Sequence, residues 1–413
     1  MTNDASPVAP PPVRSEQPPH APAAGRLIGI DLARGLAVFG MYSAHIGPDV
    51  TVGGPVGFVL ETARGRSSAL FALLAGFSLI IMTGRPRPRT GRAGRQAVAR
   101  IVLRAVVLIA LGYALTALDT EVEVILSFYG LLFLAVLPLY RLRAATLAVI
   151  AAAGALILPQ VLYAVRISIE DGSWADTVIA HDPLARITST DGVVELLFTG
   201  SYPVLTWAPF VVAGMAVARL DLSRPAVRSR LALCGGALAV VGYGGSWLAL
   251  RLVPHALTTI SAAADGGSAS SAWWSDIVGE PQDGTPLDWL LVAAPHSQTT
   301  FSILGNTGVA LVVVAACLTV TARLPRLTRL TAPVSAVGTM ALTAYVLHIV
   351  ALWLLVEVWD IAIVDADTMS ALPVLGAFVA GAVLLALVWT RHFRRGPFEY
   401  LLHATTRPAR LVR

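Results

Sequence analysis

Long apolar runs separated by short charged clusters dominate this chain. Ten runs are about as long as a helix needs to cross a bilayer: residues 28–47, 57–83, 98–117, 122–139, 144–165, 194–218, 231–252, 299–321, 332–356 and 371–390. The clusters between them alternate in sign. One set holds Arg85, Arg87, Arg89, Arg92, Arg95 and Arg100, then Arg141 and Arg143, then Arg219, Arg224, Arg228 and Arg230, then Arg323, Arg326 and Arg329; Arg391, Arg394 and Arg395 follow the last run. The other set holds Asp119, Glu121 and Glu123, then Glu170, Asp171 and Asp176, then Glu357, Asp360, Asp365 and Asp367. Basic connections are retained in the cytoplasm. The pattern therefore predicts an all-α, polytopic transmembrane bundle of about ten spans with both termini cytoplasmic, in the plasma membrane.

Composition supports this and narrows it. The chain is 56% apolar and 13% charged, against about 25% charged in an average soluble domain. All 30 basic residues are Arg, a bias that reads as genome composition and carries no functional meaning. The net charge of +5 does not point to nucleic acid, because the Arg residues sit in short loops between spans. Cys234 and Cys317 lie in separate apolar runs, so neither a disulfide framework nor a metal site is expected. Residues 1–25, rich in Pro and Ala, read as a disordered cytoplasmic tail, residues 26–402 as one transmembrane domain, and residues 403–413 as a basic cytoplasmic tail. Two outer connections, 166–193 and 253–298, are longer than turns and are expected to form a partial lid; the second carries Trp273 and Trp274. No internal repeat is visible, which weighs against transporter folds built from two related halves.

The first run carries the densest candidate chemistry. At 100° per residue, Asp31, Arg34, Tyr42 and His45 share one helix face and form a polar stripe about 21 Å long. Charged groups at bilayer depth are costly unless paired or functional. Asp31 and Arg34, three residues apart, can neutralise each other as a purely structural pair. His45, near the outer end, can remove a proton from a hydroxyl or amine or can itself be acylated; alternatively it is hydrogen-bonded within the bundle. The second run opens with Glu61, Arg64, Arg66, Ser67 and Ser68 at about the same depth. An Arg fork suits a phosphate, a carboxylate or a developing oxyanion. The structural alternative pairs Glu61 with Arg64 and lets Arg66 snorkel to the interface. The ninth run places Thr343, Tyr345 and His348 on adjoining turns, and Asn306 and the stretch Gly200–Pro203 add polar groups. Packing between helices explains these as readily as a site does. No nucleotide-binding glycine loop, metal-ligand cluster or serine elbow is present.

The segment "IDLARGLAVFGMYSAH", with Asp31, Arg34 and His45, resembles the first helix of the integral-membrane acyltransferase superfamily. That superfamily includes bacterial surface-glycan O-acyltransferases and heparan-alpha-glucosaminide N-acetyltransferase. "GRSSALFALLAGFSL" (65–79) is similar to its Phe-rich second helix, whereas "GTMALTAYVLHI" (338–349) and "FRRGPFEYLL" (393–402) resemble the bacterial YeiB-like branch. After the first helix, "IGPDVTVGGP" stands where the heparan enzyme has a His-rich segment. The resemblance implies transfer of an acyl group, acetyl above all, from cytoplasmic acetyl-CoA or another acyl-CoA to a sugar or lipid-linked cell-envelope glycan across the bacterial inner membrane. It makes His45 the catalytic residue and places Asp31 and Arg34 at the acyl-CoA entrance. It also matches Arg64 and Arg66 to a neighbouring basic motif, so both join His45 as catalytic candidates. Tyr42, Ser67, Asn306, Tyr345 and His348 are the further substrate-binding candidates. No metal is implied, and a homodimer is left open. Two rival readings are a transporter for a small anionic solute, using Arg34, Arg64, Arg66 and His348 along its path, and a structural or sensory membrane protein.

Overall fold

The computed structural model describes residues 27–48, 52–120, 122–188, 190–264, 269–275, 278–359 and 370–412. The expected tail 1–25 and the acidic markers Glu121, Asp360, Asp365 and Asp367 lie outside them. The described residues contain helices and no strands. In chain order the α-helices are α1 (Ile28–Ile46), α2 (Gly54–Ala63), α3 (Arg66–Thr83), α4 (Gly91–Thr116), α5 (Leu126–Val136), α6 (Ala144–Glu170), α7 (Trp174–His181), α8 (Pro183–Thr188) and α9 (Val204–Ala218). They continue with α10 (Pro225–Ala239), α11 (Gly245–Leu252), α12 (Ala256–Ala263), α13 (Thr300–Arg323), α14 (Pro325–Leu330), α15 (Ala332–Thr339), α16 (Ala341–Trp353), α17 (Ala371–His392) and α18 (Pro397–Thr405).

Among the described residues, seven helical stretches are long and apolar enough to cross a membrane. Those are Gly54–Thr83, Gly91–Thr116, Ala144–Glu170, Pro225–Leu252, Thr300–Arg323, Ala341–Val358 and Ala371–His392. The protein is a multi-pass membrane protein. Leu126–Arg141 and Val204–Ala218 are apolar but shorter, and α1 is diluted by its polar stripe. Large apolar side chains such as Val149, Ile157, Leu233, Val240, Leu384 and Val388 face outward, as lipid-facing positions do.

Local structure departs from the expected spans in three ways, each with a physical cause. The second expected span is broken at Arg64–Gly65, where Gly65 takes a positive φ of 62°. A Cβ at Gly65 would overlap Pro295, so the break is also a close approach to a distant loop. The ninth expected span is broken at Met340, between α15 and α16. Finally, Arg92 and Arg95, expected in a loop, belong to the first two turns of α4, and Arg228 and Arg230 to α10. Helix hydrogen bonding continues beyond the apolar stretch, because an Arg-rich turn is a good helix former.

One end of the bundle gathers the Arg-rich connections. There Arg219 donates to the carbonyls of Gly84, Pro86 and Tyr140, and Arg85 to that of Leu220 at 2.9 Å. Residues 403–412 continue α18 and add a 3-10 turn, with Gln96 of α4 donating to Arg410 O at 3.0 Å. At the opposite end, the described residues between 253 and 298 form a folded cap whose small apolar core, with Ile260, Ala272, Trp289 and Val292, packs on Leu250 of α11. Centrally, α1 packs on α15 and α3. Gly338 brings α15 so near α1 that a Cβ there would overlap the Asp31 carbonyl.

Candidate functional site

The stripe on α1 does not serve one chamber. Arg34 and His45 line two different cavities at opposite ends of the bundle, and Tyr42 lines a third, apolar one of about 430 Å³ with His348. Arg34 lines a cavity of about 370 Å³ near the basic end, together with Ser78, Arg104, Tyr129, Thr339 and Glu399. His45 lines a second cavity of about 170 Å³ near the capped end, with Arg64, Ser67, Glu123, Tyr202, Glu280 and His296. Phe71 and Tyr129 stack with ring centroids 5.6 Å apart and planes 8° apart. Both line the first cavity, and the Tyr129 hydroxyl donates at 3.4 Å to the carbonyl of Ser68, which lines the second. Tyr129 thus ties the wall of the first chamber to that of the second.

In the basic-end cavity, Arg34 Nη1 donates to Asp31 Oδ1 at 3.1 Å, the i,i+3 pair expected from the sequence. Nη2 donates to Ser78 Oγ at 3.0 Å. The pair keeps the charge of Asp31 compensated while the guanidinium still borders the cavity. Arg104 of α4 faces the same space. Its Nη1 lies 3.8 Å from the weak acceptor Met82 Sδ, and its Nε has no hydrogen-bond partner among the described residues. A guanidinium so placed has donor capacity left for an anion. Glu399, from the FRRGPFEYLL segment, performs a clear structural task. Its carboxylate accepts from the Leu342 and Thr343 amides at 2.8 and 3.2 Å and from Thr343 Oγ1 at 2.6 Å. It thereby caps α16 where the chain breaks, satisfying amides that would otherwise be orphaned.

In the capped-end cavity, His45 is the one titratable group carried by a helix. Its Nδ1 lies 2.9 Å from Nε2 of His348, and their ring planes are within 10° of each other. His348 is 2% exposed, and its Nδ1 meets the carbonyl of Tyr345. The Tyr42 hydroxyl donates to Ala344 O at 2.8 Å, and its ring lies 4.7 Å from that of His348. Tyr345 accepts from the Ile125 amide at 3.2 Å. Tyr42, Tyr345 and His348 thus form the wall behind His45. Ser67 and Arg64 reach the cavity because of the break at Gly65.

Loops supply the remainder. His296, in a loop residue with φ 58°, lies 3.5 Å from Glu280 Oε1 and 3.3 Å from Ser201 O. Glu123 precedes α5 on the loop outside the helices. Burial raises its carboxyl above the usual carboxylate range, and the Glu280 carboxylate pushes it the same way. The cavity thus offers one imidazole from a helix, a second from a loop, a guanidinium and two carboxylates. Such a set can bind a polar acceptor and move a proton.

Two sequence candidates stand elsewhere. Arg66 is 5% exposed and donates to the carbonyls of Glu61 and Trp274 and, at 3.1 Å, to Tyr243 Oη. Neither cavity is lined by it. Asn306 accepts from Tyr243 at 2.7 Å and donates to Ser302 Oγ at 3.1 Å. Together they tie the cap, the π-helical turn Val240–Gly244 and α13 to the broken helix. Glu123, Glu280 and His296 were missed as site residues because no periodicity marks a loop. Arg104 was missed for another reason: it reads as one more Arg of a basic run, although an Arg a turn inside an apolar span was the available signal.

An apolar multi-pass bundle with a polar cavity lined by His45 defines a polytopic membrane protein with a polar site at one end. Residues 26–242 match the family described as heparan-alpha-glucosaminide N-acetyltransferase, catalytic, and the chain belongs to that family. Residues 284–408 match a second family, described as a protein of unknown function, DUF418. A search among curated proteins gives no match.

Proposed function

We propose that the protein transfers an acetyl group from acetyl-CoA, entering at the basic end, to an amine or hydroxyl of a sugar or envelope glycan held in the capped-end cavity. The observation that carries this is the pair of cavities joined through the Tyr129–Ser68 hydrogen bond, one with the cations Arg34 and Arg104 and the other with His45. Arg34 and Arg104 are suited to the phosphates of CoA. His45 takes the proton of the acceptor N–H or O–H as the acceptor atom bonds to the acetyl carbon. The C–S bond breaks, and the proton passes to the departing thiolate, leaving CoA as the thiol and the acceptor acetylated. Arg64 faces the same chamber and suits the developing oxyanion.

The same reading sets the topology. Counting α1, α5 and α9 as spans gives about ten. The Arg-rich end is then cytoplasmic, with the cap 253–298 on the far side of the plasma membrane. Membership of the N-acetyltransferase family favours an amine as acceptor.

The test is CoA release from acetyl-CoA by purified protein, with glucosamine as the probe acceptor. His45→Ala is expected to lower turnover about 10²- to 10⁴-fold, the span of general acid–base catalysis, with acetyl-CoA binding unchanged. Turnover at the wild-type rate in that variant would overturn the mechanism.

A further inference from the structure

We infer that His348 fixes the proton on His45 Nδ1 and so leaves His45 Nε2 as the bare, reacting nitrogen. The inference rests on the reading of His45 as the base, and it follows from hydrogen-bond bookkeeping along three residues. The Tyr345 carbonyl oxygen can only accept, so His348 Nδ1 carries a hydrogen. A neutral imidazole has a single N–H, which leaves His348 Nε2 bare. His45 Nδ1 lies 2.9 Å from that nitrogen. Two bare nitrogens do not bond, so His45 Nδ1 is the donor, and Nε2 of a neutral His45 is left without a proton.

The opposite arrangement needs an imidazolium at His348 donating to both neighbours. That would place a positive charge at 2% exposure, with Tyr42 and Tyr345 as the ring neighbours at 4.7 and 5.1 Å and no carboxylate hydrogen-bonded to it among the described residues. Burying a charge without such a partner is costly. The charged and titratable groups on the other side of His45 are Arg64 from the helix break, Glu123 from the loop before α5, Tyr202 from before α9, and Glu280 and His296 from the loop before α13. None of these lies between the two imidazoles. The two tyrosine rings against His348 also hold its plane, so the acceptor lone pair stays aimed at α1. When His45 Nε2 takes a proton, its Nδ1–H remains bonded to a neutral acceptor, which disperses the new charge without a second proton transfer. His348 is thus a positioning residue: it lines neither the Arg34 cavity nor the His45 cavity, and its open side meets the apolar cavity shared with Tyr42.

The experiment reads the tautomer directly. Protein labelled with ¹⁵N-histidine is purified in detergent near pH 7, and the His45 ring signals are assigned by their loss in His45→Gln. The wild type is expected to show His45 protonated at Nδ1 and bare at Nε2, and His348→Leu a mixture of tautomers. In the acetyl-CoA and glucosamine assay, His348→Leu should lose about 10²- to 10⁴-fold in kcat, the scale of a wrong tautomer, with KM for acetyl-CoA unchanged. His348→Gln, whose amide oxygen can accept from Nδ1–H, should recover most of that loss. A proton on Nε2 of wild-type His45 would overturn the inference, and so would unchanged turnover in His348→Leu. Absent transfer in the wild type, with the tautomer as stated, would instead overturn the proposed reaction alone.

Discussion

The two cavities differ in how they are built. Every residue lining the basic-end cavity lies on a helix: α1, α3, α4, α5, α15, α16 or α18. In the capped-end cavity His45 alone among the titratable groups does so, while Arg64 sits at a helix break and Glu123, Tyr202, Glu280 and His296 lie between helices. The difference separates two tasks. A chamber walled by packed helices has fixed dimensions, whereas one finished by loops can change its lining while the helical histidine stays in place; on the proposed function the first suits the donor and the second the acceptor.

The largest effects that sharpen this contrast are expected from the Asp31–Arg34 pair. Removing either partner leaves a charge without its mate inside the helical chamber and should destabilise by roughly 3 to 5 kcal/mol, with the double substitution less harmful than the two singles summed. Unfolding in detergent across the four proteins measures it, and a coupling near zero would show the chamber is less closed than its helices suggest.

Arg104→Gln comes next. It should weaken acetyl-CoA binding about 10- to 100-fold, since a hydrogen bond to a charged group contributes about 1.5 to 3 kcal/mol, while kcat at saturation stays the same. Equilibrium binding and steady-state kinetics on one preparation decide whether this chamber is the donor's.

Glu399→Gln should cost about 1 kcal/mol of stability, the scale of a lost helix cap, with little change in acceptor KM. The smallest effect belongs to the loop chamber. The Glu123 carboxyl is held above its unfolded range, so the folded state binds its proton more tightly. That contribution favours folding at low pH and is lost as pH rises through the shifted value. Glu123→Gln should therefore flatten the fall in stability above the usual carboxylate range, which thermal unfolding across that window would show; an unaltered slope would mean Glu123 is better solvated than its loop implies.

The same contrast explains what the sequence made legible. Helical periodicity located Asp31, Arg34, Tyr42 and His45 on one face, because that face is a property of neighbouring residues. Periodicity could not say that this face would open on separate chambers, since the residues that close each one come from distant helices and loops. Thr343, Tyr345 and His348 were visible as polar positions, but their task depends on the break at Met340, which brings Glu399 onto α16. Arg66 had the residue type of a catalytic donor, yet carbonyls of Glu61 and Trp274 take its hydrogens. Chemistry that depends on loops meeting across the bundle was not readable, and Glu280 and His296 are examples.

The bond between His45 and His348 also bears on how the protein is made. It spans 303 residues and joins one stretch that matches the N-acetyltransferase family to another that matches DUF418. On the proposed mechanism, a nascent chain inserting from its N-terminus therefore lacks the bond that fixes the His45 tautomer until α16 has entered the bilayer. If so, a protein produced as two separate fragments, divided between the two matched stretches, would recover the fixed tautomer only when the fragments associate.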